Sequence, residues 1–223
     1  MEQSRPKLTT TVYSCEIDNI TPTPPFPNIC NFTLHKFEVG NKDFFIFFGG
    51  ANQMKDVPKA VFSNKTFLYH LESKKWKEIP VFGTVPLPRA GHRSAFFLKS
   101  DEYIYNFFHS QKQLLSSVLI WAQDKVHRLI VFGGANSTSA SNDLYMLKTG
   151  GFDQQWEWKK IEHTTESVPT PRHGHSFSLV GTDFLLYGGT QNGDKYSHNL
   201  YSWTFSSEGA FSLFTNSHTN IFF

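Results

Sequence analysis

Val85-Pro-Leu-Pro-Arg-Ala-Gly-His92 returns later in the chain as Val168-Pro-Thr-Pro-Arg-His-Gly-His175, with six of eight residues identical at a spacing of 83. The pair Gly49-Gly50 returns as Gly133-Gly134 after 84 residues. Two features in the same order at nearly one spacing indicate an internal repeat, which is typical of propellers and solenoids.

Two further features extend this repeat to three units. Trp76-Lys-Glu-Ile79 returns as Trp158-Lys-Lys-Ile161 after 82 residues. A third glycine pair, Gly188-Gly189, follows the second pair after 55 residues, and Ser141-Asn-Asp-Leu-Tyr145 is echoed by Ser197-His-Asn-Leu-Tyr201. Each unit therefore contains a hydrophobic run that ends in a double glycine.

Each unit is predicted to form four β-strands. In the third unit we expect strands at Ser176–Val180, Asp183–Tyr187 and Asn199–Phe205, and a fourth near Ala210–Phe214. Short runs of β-forming residues separated by Gly, Pro and Asn are typical of all-β folds. No Trp occupies the fourth strand of this unit, so we expect Phe211 or Phe214 to replace it.

The repeated residue types have structural reasons. A double glycine permits positive φ and close backbone approach, while Tyr and Trp supply large apolar surfaces between sheets. The Pro-x-Pro-Arg segment is extended because proline disfavours helix in the preceding residue, which suits a connection between units. The residues that we assign to the repeat are Gly49, Gly50, Tyr69, Trp76, Arg89, Gly91, His92, Gly133, Gly134, Tyr145, Trp158, Arg172, Gly174, His175, Gly188, Gly189 and Tyr201.

The composition agrees with an all-β protein and excludes some classes of partner. Of 223 residues, 16% are aromatic and 23 are Phe, which suits pleated, half-buried surfaces. The net charge is +2 and no run of five like charges occurs, so direct nucleic-acid binding and a polybasic membrane patch are not expected. No stretch reaches the length of a membrane span. Cys15 and Cys30 are read as free thiols, which predicts an intracellular protein of the cytoplasm or nucleus.

The hydrophobic run ending in Gly-Gly, the spaced Tyr and the later Trp resemble the kelch repeat. Within kelch proteins the likeness is greatest to the propeller of the host cell factor family, on Ser141–Tyr145, Trp156-Glu-Trp-Lys-Lys160 and Pro171–Gly181. The resemblance implies β-propeller blades of four strands that bind other proteins through loops on one face. It also implies an adaptor associated with chromatin.

The repeat predicts three regions along the chain. We expect an extended N-terminal arm at residues 1–31, kelch repeats at 32–214 and a tail at 215–223. The repeats divide at about 32–80, 86–162 and 169–214. Propellers have four to eight blades, so three blades suggest a fragment or an incomplete gene sequence, in preference to one part of an assembly.

The second unit contains about 28 extra residues, near positions 98–122, in which Gln111 to Trp121 could form a short helix. A functional inserted loop is one interpretation. Translated intron sequence or a tolerated surface insertion is the interpretation that we favour.

Catalytic, cofactor and metal motifs are not found, so we do not expect an enzyme. His173-x-His175 resembles a metal pair, but His92 repeats His175 whereas Ala90 replaces His173, which favours a structural role. No acidic or Cys ligand with suitable spacing lies nearby. An active site assembled from distant loops stays open as an alternative.

Arg89 and Arg172 occupy equivalent places, where they either face acidic partners or, as we favour, hold a turn by bonding to carbonyls. The loops after the glycine pairs, at Ala51–Asp56, Ala135–Asn142 and Thr190–His198, differ in sequence while the strands stay alike. Specificity is usually built on such loops, so we expect them to contact partners.

The predicted function is a protein-interaction scaffold, and the resemblance implies a transcriptional co-regulator of the host cell factor kind. A kelch adaptor in vesicle trafficking, cell polarity or ubiquitin ligation is one alternative. A propeller enzyme, such as a sugar isomerase or a radical-copper oxidase, is another. The identity of the partner proteins is not encoded in any motif that we find.

Overall fold

The computed structural model describes residues 29–39, 42–52, 59–99, 126–150, 154–163, 168–180, 183–191, 196–205 and 211–216. The described residues form β-strands and connections without any helix, which confirms the predicted all-β class. The possible helix at 111–121, most of the insertion, most of the N-terminal arm and the end of the tail lie outside these ranges. The described part of the chain has no helix of the length and apolarity that a membrane crossing requires.

The first sheet, blade 1, is antiparallel. Its strands are β1 (Thr33–Val39), β2 (Lys42–Phe48), β5 (Thr66–His70) and β6 (Lys75–Glu78), in that order across the sheet. A small hairpin of β3 (Ala51–Asn52) and β4 (Val61–Phe62) follows the first glycine pair.

The second sheet, blade 2, gains a strand from the connection that leads into it. Its strands are β7 (Val81–Gly83), β8 (Arg93–Lys99), β9 (Val126–Phe132), β10 (Leu144–Lys148) and β11 (Trp156–Ile161), arranged as β7-β11-β10-β9-β8. Strand β7 runs parallel to β11, with Val81 opposite Trp156. The chain leaving blade 1 therefore covers the edge strand of blade 2, and covered edges resist unwanted strand pairing.

The third sheet, blade 3, confirms the four strands predicted for the third unit. The strands are β12 (Ser176–Val180), β13 (Asp183–Tyr187), β14 (Leu200–Phe205) and β15 (Phe211–Asn216), in sequence order across the sheet. The third strand begins one residue later than expected, and the fourth is shifted toward the C-terminus.

Strand pairing defines which residues are equivalent in the three blades. The last residue before each glycine pair lies opposite Thr66, Leu144 or Leu200 on the third strand. Counting from these pairs, Phe67 takes the position of Tyr145 and Tyr201. Tyr69, which sequence spacing placed with those tyrosines, takes the position of Leu147 and Trp203. The two positions lie on the same face because a shift of two residues preserves side-chain direction in a strand.

The same register corrects the expectation for the fourth strand of blade 3. Trp76 lies opposite Tyr69, Trp158 lies opposite Leu147, and Leu213 lies opposite Trp203. Leu213, rather than Phe211 or Phe214, therefore holds the tryptophan position. The aromatic residue at this level of blade 3 is Trp203 on the neighbouring strand.

The core consists of two apolar layers, each between successive blades, because alternate residues of a strand face opposite sides of its sheet. The layer between blades 1 and 2 contains Phe37, Phe44, Ile46, Phe48, Leu68, Ile79, Leu129, Val131, Tyr145, Leu147, Trp156 and Trp158. The layer between blades 2 and 3 contains Ala95, Ile130, Phe132, Leu144, Phe177, Phe184, Leu186, Tyr201 and Trp203. Each blade is thus stabilised by its neighbours.

Candidate interaction surface

Arg89 lies buried in the connection between blades 1 and 2, with 3% of its surface exposed. Its Nε donates to the Leu87 carbonyl at 3.0 Å, and its Nη1 donates to the Gly133 carbonyl at 3.0 Å. The guanidinium carbon lies 5.2 Å from the ring centre of Tyr145. A planar guanidinium with five donors suits such multiple contacts. The Arg89 side chain therefore bonds to carbonyls of its own scaffold.

Arg172 repeats these contacts in the next connection. Its Nε donates to the Thr170 carbonyl and its Nη1 to the Gly188 carbonyl, both at 3.0 Å. The guanidinium carbon lies 5.2 Å from the ring centre of Tyr201. Each connection is thus joined to the glycine pair and the tyrosine of the blade that it enters.

The histidines of the two connections contact the preceding blade instead. Nε2 of His92 lies 3.2 Å from the Phe48 carbonyl oxygen, to which it donates. The His175 ring meets the Phe132 ring edge-on, with centroids 5.3 Å apart. Burial, followed by the charge of the arginine in the same connection, lowers the pKa of each histidine to about 3. Both imidazoles are therefore neutral at pH 7.

The first glycine of a pair makes room for the histidine of the next connection. Gly49 and Gly133 have φ values of 67° and 68°. A β-carbon on Gly49 would lie 2.6 Å from Cε1 of His92, and one on Gly133 would lie 2.8 Å from Cε1 of His175. The glycine pair and the Gly-His segment are therefore parts of one joint, which explains why they recur together.

A chain of backbone hydrogen bonds links the three blades at these joints. The Gly91 N–H donates to the Asn31 carbonyl at 3.0 Å, and the Gly174 N–H donates to the Gly91 carbonyl at 2.9 Å. Asn31 has a φ of 57°, close to the 66° of Gly91, and Asn tolerates this region better than most residues. Cys30 forms an antiparallel β-bridge with Ala51 of blade 1, as Ala90 does with Ala135 of blade 2. The repeat in the sequence did not reveal that Cys30 and Asn31 make these contacts, because the other two connections have Ala90-Gly91 and His173-Gly174 at the same positions.

Blades 1 and 2 carry one ion pair at equivalent positions with opposite polarity. Asp143 lies 3.1 Å from Lys160 in blade 2, whereas Lys65 lies 3.0 Å from Glu78 in blade 1. Nη2 of Arg89 lies 3.7 Å from the Asp143 carboxylate. The position of Arg89 is taken by an isoleucine in the segment before blade 1. Of blades 1 and 2, the one with an acid before its third strand is thus the one whose connection carries an arginine.

The loops after the three glycine pairs are each closed at their base by a pair of β-bridged residues. The first loop is closed by the pair Ala51–Phe62, the second by Ala135–Ala140 and the third by Thr190–Tyr196. In the second loop the Asn136 side chain accepts hydrogen bonds from the backbone N–H groups of residues 138 and 139. The described residues therefore close all three loops at the same place, next to the second glycine of each pair.

Exposed apolar side chains lie at the same end of the blades as these loops. Tyr196 is 73% exposed and Leu87 is 65% exposed. Leu87 also borders a cavity of about 230 Å³ between the connection at residues 87–89 and the loop at 134–143. The joints, the loops and this cavity together form what we call the loop face.

A larger cavity of about 510 Å³ lies at the opposite end of blades 1 and 2. Its walls include the aromatic rings of Phe37 and Trp156 and the side chains of Lys42 and Lys75. It borders the turns that join neighbouring strands, and the arginine, histidine and glycine residues of the joints do not line it.

The residues considered as metal ligands are not brought together. Among the described residues no group of three His, Cys, Asp or Glu side chains could hold a metal ion. His175 is buried against Phe132, while the backbone of His173 pairs with Thr190. The exposed Cys30 thiol lies 3.4 Å from the Ala51 carbonyl oxygen, and Cys15 lies outside the described residues.

Comparison with known proteins relates the chain to kelch-repeat proteins. The family model of the KLHDC2/KLHL20/DRC7 Kelch-repeats domain matches residues 109–213. Human host cell factor 1 is 32% identical over 154 residues, which cover 56% of this chain and 7% of that protein.

Other relatives match shorter or more divergent stretches. Rho GTPase-activating protein gacHH of Dictyostelium discoideum is 38% identical over 74 residues, covering 33% of this chain and 4% of that protein. Acyl-CoA-binding domain-containing protein 5 of Arabidopsis thaliana is 26% identical over 148 residues, covering 66% of this chain and 17% of that protein. The chain thus spans a small part of each of these relatives.

Proposed function

Because the described blades are kelch repeats of the β-propeller type, we propose that this chain is a protein-interaction scaffold that binds partner proteins through its loop face. The observation that carries the proposal is the contrast between joints and loops. Arg89 and Arg172 make the same carbonyl contacts in successive joints, while the loops beside them differ in sequence. Joint contacts that repeat beside loops that differ in sequence support a role of the loops in recognising partners. Loops with a purely structural role would be expected to repeat as the joints do.

The chemistry of the loop face supports protein partners. Tyr196 and Leu87 present exposed apolar surface, and Leu87 shares its cavity with the polar residues Asn136, Ser139 and Asn142. Aromatic anchors surrounded by polar groups are typical of protein interfaces, where Tyr is enriched among the residues that contribute most to binding.

The similarity to host cell factor supports a narrower form of the proposal. In this form the chain acts as a co-regulator of transcription, located in the nucleus or cytoplasm, and binds neither nucleic acid nor membrane directly. The net charge of +2 without basic clusters supports the last part. The scaffold has no catalytic role of its own in this proposal.

Affinity capture with matched variants tests the proposal. The tagged chain, Tyr196→Lys, Leu87→Lys and Tyr187→Lys are used to capture proteins from nuclear and cytoplasmic extracts, and captured proteins are quantified by mass spectrometry. Tyr187 is exposed on a sheet surface outside the loop face, so Tyr187→Lys is the matched control.

We expect a reproducible set of partners to be captured by the wild type and by Tyr187→Lys. Tyr196→Lys and Leu87→Lys should each lower the captured amount of these partners at least tenfold. Enrichment of transcriptional regulators from nuclear extract supports the co-regulator, whereas trafficking or polarity proteins support the alternative adaptor. A wild-type chain that captures nothing above empty beads, or loop variants that capture as well as the control, would show the proposal to be wrong.

A further inference from the structure

The cavity at the end of blades 1 and 2 opposite the loop face, which we call the inter-blade cavity, has a volume of about 510 Å³. Its floor is apolar and consists of residues of the first core layer, namely Phe37, Phe44, Leu68 and Trp156. The Phe37 ring centre lies 5.7 Å from that of Phe44 and 6.4 Å from that of Trp156. Because the packing of the two blades holds these rings, the floor is formed without a ligand. Small-molecule sites of roughly 300–1,000 Å³ are typically preformed and lined in this way.

Lysines stand at the rim of this apolar floor. Lys42 begins β2 and Lys75 begins β6, so both lie at the same end of the blade 1 sheet, and both are exposed. Lys77 lines the cavity as well, and among the described residues that line it none is acidic. Lys42 and Lys75 form no ion pair with any residue that the structure describes.

The acids close in sequence to these two lysines contact other groups. Asp43 and Glu78 form ion pairs with lysines outside the cavity, at 2.7 and 3.0 Å. The Glu72 carboxylate lies 3.9 Å from Nε2 of His70. These three acids do not line the cavity, so its described rim presents positive charge beside an apolar floor.

The corresponding place in blade 2 carries its own counter-charge. In blade 1 one row across the sheet contains Phe44, His70 and Lys75. The same row in blade 2 contains Arg128, Lys148 and Glu157. The Glu157 carboxylate lies 3.4 Å from the Lys159 ammonium. Blade 1 thus has a ring in place of an arginine and a lysine in place of an acid, which suits its cavity to an anion with an apolar body.

His70 forms the wall between the two lysines. Its Nδ1 lies 2.6 Å from Oγ of Ser73, and its ring centre lies 4.8 Å from that of Phe44. Both His70 and Ser73 line the cavity. The turn that joins β5 to β6 is therefore held against the floor, and this fixes the point at which Lys75 leaves the sheet.

We propose that the inter-blade cavity binds a small aromatic anion, in which a carboxylate, sulfonate or phosphate is attached to a flat apolar body. The rings of Phe37 and Trp156 contact the body, while Lys42 and Lys75 bind the charged group. Hydrogen bonds from an ammonium to an anionic oxygen are stronger than those between neutral groups. Because the cavity lies at the opposite end of the blades from the loop face, this inference goes beyond the proposed function and does not rest on it.

Fluorescence titration of the 223-residue chain with anilinonaphthalene sulfonate tests the proposal, because this dye is an aromatic anion that brightens in apolar surroundings. Phenylnaphthylamine, which has the same rings without the sulfonate, is the neutral comparison. We expect one sulfonate to bind per chain. Lys42→Gln together with Lys75→Gln should raise its dissociation constant at least fivefold and change that of phenylnaphthylamine less than twofold. Raising NaCl from 20 to 500 mM should weaken binding of the sulfonate alone, since salt screens the attraction.

Lys65→Gln is the matched control, because it removes an exposed lysine of blade 1 that does not line the cavity. It should leave both dissociation constants unchanged. Circular dichroism establishes that each variant is folded, and the two single substitutions, each expected to weaken sulfonate binding at least twofold, keep the test valid if the double variant is not.

Sulfonate binding that does not saturate, or that the double substitution leaves intact, overturns the proposal, as does an equal loss of the neutral dye. The double variant should retain the partner set in affinity capture, so failure of this inference is distinguishable from failure of the proposed function. Loss of that partner set from the folded double variant would identify a protein as the occupant and would overturn the assignment to a small molecule.

Discussion

The Nη1 atom of Arg89 donates to the carbonyl of Gly133 at 3.0 Å, and this bond ties the connection entering blade 2 to the end of that blade's second strand. The two residues are 44 positions apart, on either side of the insertion. The contact therefore joins two parts of blade 2 that the insertion separates in the sequence. Its repetition by Arg172 and Gly188 shows that it belongs to the repeat itself.

We predict that Arg89→Ala lowers the free energy of unfolding by about 2–4 kcal/mol, because it leaves the buried Gly133 carbonyl without this donor and removes the packing of the guanidinium on Tyr145. Arg89→Lys should cost about 1–3 kcal/mol, since an ammonium keeps the charge but not the planar fork. Urea unfolding followed by circular dichroism measures both. Lys65→Ala is the control, as its exposed ion pair should contribute less than about 1 kcal/mol. Equal losses from Arg89→Ala and the control would contradict a structural role.

A second prediction concerns pH. The pKa of His92 and that of His175 are lowered to about 3 in the folded chain, whereas an unfolded histidine titrates near 6.5. The unfolded state therefore binds more protons below pH 6.5. Stability from these residues is fully present above pH 6.5 and falls toward pH 3, by about 1.4 kcal/mol per pH unit for each histidine.

His92→Phe tests this dependence, because Phe32 follows Asn31 as His92 follows Gly91, so a phenyl ring occurs at the equivalent position of blade 1. We expect the variant to be about 1 kcal/mol less stable at pH 7.5, from the lost hydrogen bond to Phe48. Its loss of stability between pH 6.5 and 4.5 should be shallower than that of the wild type. Urea midpoints across that range give the two slopes, and parallel slopes would mean that His92 is not neutral in the fold.

A third prediction concerns two glycines and separates the cost of a positive φ from the cost of a steric clash with an added β-carbon. Gly133 and Gly174 have nearly equal φ values, 68° and 65°. A β-carbon would lie 2.7 Å from the Arg172 carbonyl oxygen at Gly133 but meets nothing within 4 Å at Gly174. Gly174→Ala should therefore cost about 1–2 kcal/mol from backbone strain alone. Gly133→Ala should cost at least about 2 kcal/mol more, since backbone must shift. Thermal unfolding of the pair measures the difference, and equal costs would argue against a tight joint at Gly133.

The sequence predicted the strands well because they are local. Ser176–Val180 and Asp183–Tyr187 are bounded by turn residues, so composition alone locates them. The repeat also identifies both joint arginines, Arg89 and Arg172, from the sequence. Their bonds to carbonyls follow from position, because each arginine stands after two prolines and before a glycine turn, where backbone oxygens are close.

Other features depend on pairing between distant strands and could not be read from spacing. Tyr69 was grouped with Tyr145, yet the longer loop after the first glycine pair shifts it by two positions. The parallel pairing of β7 with β11 joins residues about 75 apart and leaves no local pattern. Asn31 carries the backbone role of Gly91 with a different side chain, so a search for Gly-His does not find it.

The last prediction concerns the ion pair whose polarity reverses between blades. Partial burial would raise the pKa of Asp143, but hydrogen bonds from Ser141 and Lys160 and the nearby charges outweigh it and lower that pKa. Exchanging the partners in blade 2, with Asp143→Lys and Lys160→Asp together, would place an ammonium near Arg89. We expect a loss of about 1–2 kcal/mol, because like charges repel and the guanidinium is buried.

The matched exchange in blade 1, Lys65→Glu with Glu78→Lys, keeps the pair without a neighbouring arginine, since residue 29 is isoleucine. Its cost should stay within about 0.5 kcal/mol, as is usual for exposed pairs. Urea unfolding at 20 mM and 500 mM NaCl measures both exchanges, and salt should reduce the blade 2 penalty by screening the repulsion. If the two exchanges cost the same, Arg89 does not dictate the sign of the residue before the third strand, and the reversed polarity in blade 1 needs another cause.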